Sequence, residues 1–182
     1  LLGLGLLVPA WHALARRGLG SSAVWPIGGF CAAIGVAFMV VEVVLLQSFT
    51  RLVGEPGWSL VTVLAPLLVA SGAGSLYLAG KRSLSPRLGA LWAALAALTT
   101  AVALPPLIDL SASFGFATRL GVGALATFAL GVPLGIPFAA ALRRLTRPEL
   151  VAWAWATNAV ASVAGSLGAV MIGSAFGFAT AA

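Results

Sequence analysis

The sequence predicts an all-α fold, a polytopic transmembrane helix bundle of about six spans with the first one truncated. Of 182 residues, 61% are hydrophobic and 8% are charged, and the mean hydropathy is +1.10. A soluble domain carries about 25% charged residues. The apolar residues form runs of roughly 20 or more, long enough to cross the hydrocarbon core as helices. The basic residues fall in the short gaps between these runs.

The first element is the apolar stretch Leu1–Leu14, which is too short to cross a bilayer. As a helix it reaches about 21 Å, against about 30 Å of hydrocarbon. A signal peptide carries positive charge before its apolar region, whereas Arg16 and Arg17 follow this one. We therefore expect residues 1–182 to be a single transmembrane helical domain, and a fragment of a longer chain.

Five fuller apolar runs follow, and each is long enough to cross as a helix that satisfies its own backbone hydrogen bonds. The gaps between them are mostly short, so the sequence leaves no room for a soluble domain between spans. The predicted spans are Trp25–Phe49, Trp58–Gly80, Leu88–Leu110, Leu120–Leu142 and Leu150–Phe178.

The distribution of basic residues predicts the orientation of these spans. Loops 15–24, 81–87 and 143–149 hold eight of the ten Lys and Arg residues, and the other side holds Arg51 and Arg119. By the positive-inside rule, the three basic loops are cytoplasmic. The six tryptophans all fall near predicted span ends, as expected for side chains at the edge of a lipid bilayer.

Several functions are excluded by composition. The positive charges are dispersed over separate loops, so nucleic acid is not an expected partner. One cysteine, Cys31, cannot form a disulfide within the chain, and the lone histidine His12 has no second ligand of its type, so we expect neither a metal site nor a cofactor. Four acidic residues and one histidine do not form a catalytic constellation, so we expect no catalytic residue.

Glu42 lies in the apolar stretch FMVVEVVLLQSF, with Gln47 shortly after it. An ionised carboxylate at this depth costs several kcal/mol, so it should be protonated, paired or directed into the bundle. Helical spacing puts Glu42 on a face with small residues, which let another helix approach closely. That face predicts that Glu42 points into the bundle. Its other members are Gly28, Cys31, Gly35 and Phe38.

The last span offers a second small-residue face, centred on Asn158 and Ser162. Such a face is suited to tight packing and to hydrogen bonds between helices. Asn158 lies only about 12 Å from the predicted cytoplasmic end, whereas Glu42 lies about 25 Å along its own span. We therefore expect these two polar residues to mark different depths of one interior.

A helix break is predicted in the span Leu120–Leu142, where Pro133 and Pro137 lie within the sequence GVPLGIPF. Each proline removes a backbone donor, and the intervening glycines add freedom. Two interpretations remain open, a packing kink and a broken helix that lines a cavity. The GAGS sequence at residues 72–75 is interpreted as a helix-packing patch.

Two stretches resemble the membrane part of bacterial spermidine synthase-like integral membrane proteins. They are IGVAFMVVEVVLLQSFTRLVGEPGWSLVTVLAPLLVASGAGS, and PLGIPFAAALRRL followed by VAWAWATNAVASVAGSLGAV. Ser48 stands where the family has arginine, Glu55 where it often has histidine, and Ala139 where proline is common. The resemblance implies a location in the bacterial inner (plasma) membrane. It also implies an upstream soluble domain resembling aminopropyltransferases, whose catalytic motifs are not in this sequence.

Three functions are compatible with these observations. The first is a membrane module that anchors or serves a cytoplasmic aminopropyltransferase-like domain, with no catalysis in these residues. The second is a small-molecule transporter in which Glu42 is a protonatable site, supported by Asn158 and the predicted helix break. The third is an accessory or structural subunit that docks on other membrane subunits through its small-residue faces. In all three, the lipid bilayer is the surrounding partner.

Overall fold

The computed structural model describes residues 21–77, 84–111 and 113–176, and every regular element in these residues is an α-helix. Five segments are long and apolar enough to cross a membrane, the fourth being formed by α4 and α5 together. The all-α transmembrane fold class is therefore confirmed. The helices are α1 (Ser21–Val53), α2 (Pro56–Tyr77), α3 (Pro86–Ser111), α4 (Phe116–Leu134), α5 (Ile136–Leu142) and α6 (Pro148–Phe176).

The number of spans in the described residues is five, against the six predicted with the first truncated. The predicted partial span Leu1–Leu14 lies outside the described residues. So do the basic pairs Arg16–Arg17 and Lys81–Arg82, His12, and the predicted span ends at Gly80 and Phe178.

The helix ends differ from the predicted ends by a few residues, and proline and glycine account for most of the difference. Pro56, Pro86 and Pro148 each open a helix, since the first helical position needs no backbone donor. The predicted loops 81–87 and 143–149 therefore end earlier than expected, and α1 already begins at Ser21, inside predicted loop 15–24. Gly54, with a φ of +86°, ends α1, and its N–H donates to the Thr50 carbonyl at 2.9 Å.

The chain forms two compact units. The first unit comprises residues 1–43 and 141–182, and its described residues include α1 as far as Val43 together with α6. The second unit comprises Val44–Ala140 and includes the end of α1 with α2, α3 and α4. Each unit has its own helix contacts.

In the second unit, α4 packs against both α2 and α3. The buried side chains at these contacts are mainly aliphatic, and the exposed sides of the same helices are equally apolar. In water such a surface would favour association, but in lipid the outward side chains are solvated by acyl chains. Large exposed residues of α3 include Leu91, Leu95, Leu98 and Val102.

Buried hydroxyl groups of the second unit are satisfied within their own helices. Thr127, which is fully buried, donates to the Gly123 carbonyl at 2.9 Å. Thr62 donates to the Trp58 carbonyl at 2.7 Å in the same way. Because lipid offers no hydrogen-bond partner, this back-bonding lets the hydroxyls enter helix interfaces without loss of hydrogen bonds.

Candidate functional site

The predicted small-residue faces of α1 and α6 pack against each other in the first unit. A Cβ atom added at Gly28 would lie 2.6 Å from Nε1 of Trp153, and one added at Gly35 would lie 2.5 Å from the Asn158 carbonyl oxygen. One added at Gly165 would lie 2.8 Å from the Cα of Val36. Residues later in α1 contact residues later in α6, so the two helices run parallel within this unit.

Trp153 joins the beginnings of these two helices. Its indole N–H donates to the Val24 carbonyl at 3.1 Å, and its side chain is buried with Val24 and Leu150. All six tryptophans are predicted to lie at the membrane edge, and of the two at the beginning of α6, Trp153 is buried and Trp155 is exposed. This difference could have been predicted from the sequence. Residues two apart on a helix point about 200° apart, so only one of Trp153 and Trp155 can face lipid.

Asn158 and Ser162 both lie against Gly35. The Asn158 side-chain oxygen is 3.0 Å from the position of a Cβ at Gly35, and the Ser162 hydroxyl is 2.9 Å from it. Both residues are half-buried. The polar centre of the α6 face is therefore in contact with the backbone of α1, with no room for another side chain at Gly35.

Glu42 lies beyond this contact, on the same face of α1 and seven residues after Gly35. That separation is about 10.5 Å along the helix axis. The carboxylate is half-buried. In a parallel pair with Val36 beside Gly165, the level of Glu42 corresponds to about residue 171 of α6, where Met171 and Ile172 are exposed. From Leu150 to Phe176, α6 carries no charged residue to pair with Glu42.

Gln47 does not share the face of Glu42. Five residues separate them, which is about 140° around a helix. Gln47 belongs to the second unit, where its side-chain oxygen is buried and has no hydrogen-bond partner among the described residues. Glu42 and Gln47 therefore lie on different faces of α1.

Arg119 makes a contact with the end of α1 that was not predicted from the sequence. One of its terminal guanidinium nitrogens donates to the Leu52 carbonyl at 3.2 Å, near the end of α1. A cation at a helix C-terminus satisfies a free carbonyl and complements the helix dipole. No sequence signal linked these residues, because they are 67 positions apart.

The helix interruption lies at Gly135, between Pro133 and Pro137. Gly135 has right-handed helical dihedral angles, φ −73° and ψ −16°, and its N–H donates to the Gly131 carbonyl at 3.1 Å. The interruption is therefore a single residue, after which α5 continues. This local geometry favours the packing-kink interpretation over an unwound segment with several free carbonyls.

The backbone of α2 lies directly against this interruption. Hydrogens on the Cα atoms of Gly135 and Gly74 point at the carbonyl oxygens of Ser71 and Val132 respectively, so that a Cβ at either glycine would overlap the oxygen. These are reciprocal contacts of the Cα–H···O type between α2 and the α4–α5 segment. They leave no room for a ligand between the two backbones at this level.

Comparisons of the chain with protein families, with curated proteins and with solved structures found no match. Among the described residues, no group of three His, Cys, Asp or Glu side chains is placed to hold a metal ion.

Proposed function

We propose that this chain is a membrane-embedded scaffold that anchors a cytoplasmic domain resembling aminopropyltransferases in the bacterial plasma membrane. The observation that supports a scaffold is the closeness of the helix contacts at two of the predicted polar positions and at the predicted helix break. Asn158 and Ser162 are held against Gly35, and the interruption between the two prolines is held against Ser71 and Gly74. Polar groups that line a transport pathway would instead face a space open to water.

The identity of the anchored domain rests on the sequence resemblance alone. The segments at residues 34–75, 133–145 and 151–170 carry it. In the proposed orientation, loops 15–24, 81–87 and 143–149 are cytoplasmic, so eight of the ten Lys and Arg residues lie on the side of the anchored domain.

The intact mass of the native polypeptide, isolated from its own membranes, tests this proposal. We expect a mass that exceeds the 18.3 kDa of these residues by at least a domain. Protease treatment of inverted vesicles should then release a soluble fragment that binds an S-adenosyl ligand. A native chain of about 18.3 kDa with no associated protein would refute the proposal. A chain of that mass with a partner at fixed stoichiometry would replace it with the accessory-subunit function.

A transporter is the second candidate, and the position of Glu42 favours it. The carboxylate is half-buried within a membrane span, and intramembrane acids frequently mark ion or proton pathways. Proton uptake by proteoliposomes would be compared for the wild type, Glu42→Gln and the exposed loop control Glu55→Gln. The scaffold proposal predicts no uptake that depends on Glu42. Uptake lost only in Glu42→Gln would establish the transporter function instead.

A further inference from the structure

The loop between α5 and α6, residues 143–147 and here called the arginine loop, is held in a defined conformation. The Arg144 N–H donates to the Ala141 carbonyl at 3.1 Å, and the Leu145 N–H donates to the Leu142 carbonyl at 3.0 Å. At the other end, the Arg147 carbonyl accepts from the Leu150 N–H at 3.1 Å. The loop is therefore a tight turn closed by backbone hydrogen bonds at both ends.

Leu145 anchors the middle of the arginine loop. Its side chain packs against the buried cluster of Val24, Leu150 and Trp153, so the loop is tied to the beginnings of both α1 and α6. With Leu145 turned inward, the side chains of Arg143, Arg144 and Arg147 are exposed. Three cations are thus presented within five residues on a backbone that is already ordered, which lowers the entropy cost of binding an anion.

Two exposed tryptophans place this loop near the edge of the membrane. Trp25 near the beginning of α1 is 61% exposed, and Trp155 in the second turn of α6 is 54% exposed. Exposed indoles at span ends lie at the level of the lipid headgroups. The arginines beside them therefore lie where phosphates of the bilayer are concentrated. Glu149 opposes them with one negative charge in the first turn of α6, which leaves a net charge of about +2.

We propose that the arginine loop is a binding site for the headgroup of an anionic phospholipid. Guanidinium groups bind phosphate oxygens in bidentate geometry, and basic clusters beside a span attract anionic lipids by about fivefold in affinity per Arg or Lys. The proposed ligand is a lipid and not a soluble phosphate, because the loop is exposed beside lipid-facing indoles. This inference goes beyond the scaffold function and does not depend on it.

The test measures how strongly spin-labelled phosphatidylglycerol associates with the membrane protein relative to spin-labelled phosphatidylcholine. We expect preference for the anionic lipid in the wild type and a severalfold loss in Arg144→Gln. The preference should fall close to parity in the triple variant with Arg143, Arg144 and Arg147 all changed to Gln. Arg87→Gln, which removes an exposed arginine from the first turn of α3, is the single-charge control and should keep the preference.

Removal of three basic residues can change the membrane topology. A fourth variant therefore changes the charge of the site without removing a basic residue. Glu149→Gln keeps every basic residue and should increase the preference for phosphatidylglycerol. Preference retained by the triple variant, no increase in Glu149→Gln, or an equal loss in Arg87→Gln and Arg144→Gln would each overturn the proposal. Displacement of the labelled lipid by soluble glycerol phosphate would reassign the loop to a soluble ligand.

Discussion

The α1–α6 contact of the first unit and the α2–α4 contact of the second unit differ in how closely the helix backbones approach each other. In the first unit, a Cβ added at Gly28 would meet the indole of Trp153, whereas one added at Gly35 would lie 2.5 Å from the backbone oxygen of Asn158 and 2.9 Å from the Ser162 hydroxyl. In the second unit, Gly74 and Gly135 receive backbone carbonyls from the opposite helix. Both contacts therefore include backbone against backbone, and the closer backbone approach is at Gly74 and Gly135 in the second unit.

This difference predicts how each contact responds when a methyl group is added at a glycine. A side chain can rotate away from an added methyl group, but a carbonyl in a helix can move only with its helix. The α2–α4 contact should therefore be the more rigid of the two, and the α1–α6 contact the more adaptable. Both nevertheless exclude a wide polar passage at the levels where the glycines lie.

The largest effect is expected for Gly74→Ala in α2. The new methyl group would overlap the Val132 carbonyl, and relief requires α2 and α4 to separate. We expect a loss of about 3 kcal/mol in the free energy of unfolding, at the upper end for overpacking. Titration with sodium dodecyl sulfate in mixed micelles measures this quantity.

Gly72→Ala is the control on the same helix, because no atom of the described residues lies within 4 Å of a Cβ at Gly72. Its higher helix propensity should leave the protein unchanged or more stable by at most about 1 kcal/mol. Equal losses at both positions would mean that backbone closeness does not govern the α2–α4 contact.

A smaller loss is expected for Gly165→Ala in α6. Its methyl group would meet the Cα and carbonyl oxygen of Val36 at 2.8 and 3.0 Å, and small helix shifts can absorb part of this overlap. We expect destabilisation by about 1 to 2 kcal/mol in the same titration. Gly168→Ala, where no atom of residues 21–77, 84–111 or 113–176 lies within 4 Å of an added Cβ, should be neutral. A loss at Gly165 larger than that at Gly74 would reverse the comparison of the two contacts.

Trp153→Phe tests the hydrogen bond that joins the beginnings of α1 and α6. It removes the donor to the Val24 carbonyl and keeps an aromatic side chain in the buried cluster. Because that carbonyl also belongs to the helical ladder of α1, we expect a loss of about 1 kcal/mol in the free energy of unfolding. Trp155→Phe, at an exposed position, should change it little. Equal effects of the two substitutions would argue against a specific role for the indole N–H.

The smallest effect is expected for Asn158→Ala. Polar contacts between membrane helices contribute about 0.6 kcal/mol on average, and the Asn158 side chain lies against backbone at Gly35 without a hydrogen bond to it among the described residues. The unfolding titration should therefore show a loss of about that size. A loss above about 2 kcal/mol would instead mean that Asn158 holds an interhelical network together.

Much of the fold follows from the sequence because span length and loop charge are local properties. The apolar runs and the prolines at residues 56, 86 and 148 locate the helices to within a few residues. The small-residue face of Gly28 and Gly35 could also be recognised from helical spacing, and it does meet the face of Asn158.

The remaining contacts could not be predicted, because they depend on which helices are neighbours. Gly74 and Val132 meet across 58 positions of the chain, and Arg119 reaches the Leu52 carbonyl from a different helix. Nothing local distinguishes Gly74, where an added Cβ would meet the Val132 carbonyl, from Gly72, where an added Cβ would meet nothing among the described residues. Similarly, the side-chain oxygen of Gln47 is buried and has no hydrogen-bond partner in the described part of the chain, although its sequence neighbours resemble those of Glu42.

The most direct test of the scaffold account is the reactivity of the native thiol of Cys31 toward a water-soluble maleimide in intact membranes. Cys31 is fully buried on α1 between Gly28 and Gly35, where α6 packs. Maleimides react with the thiolate, so reaction requires water and reagent to reach the sulfur. The account predicts no labelling of the folded protein and complete labelling after denaturation in sodium dodecyl sulfate. Rapid labelling in folded membranes would contradict it, because it would show a water-filled passage where a closed contact is proposed.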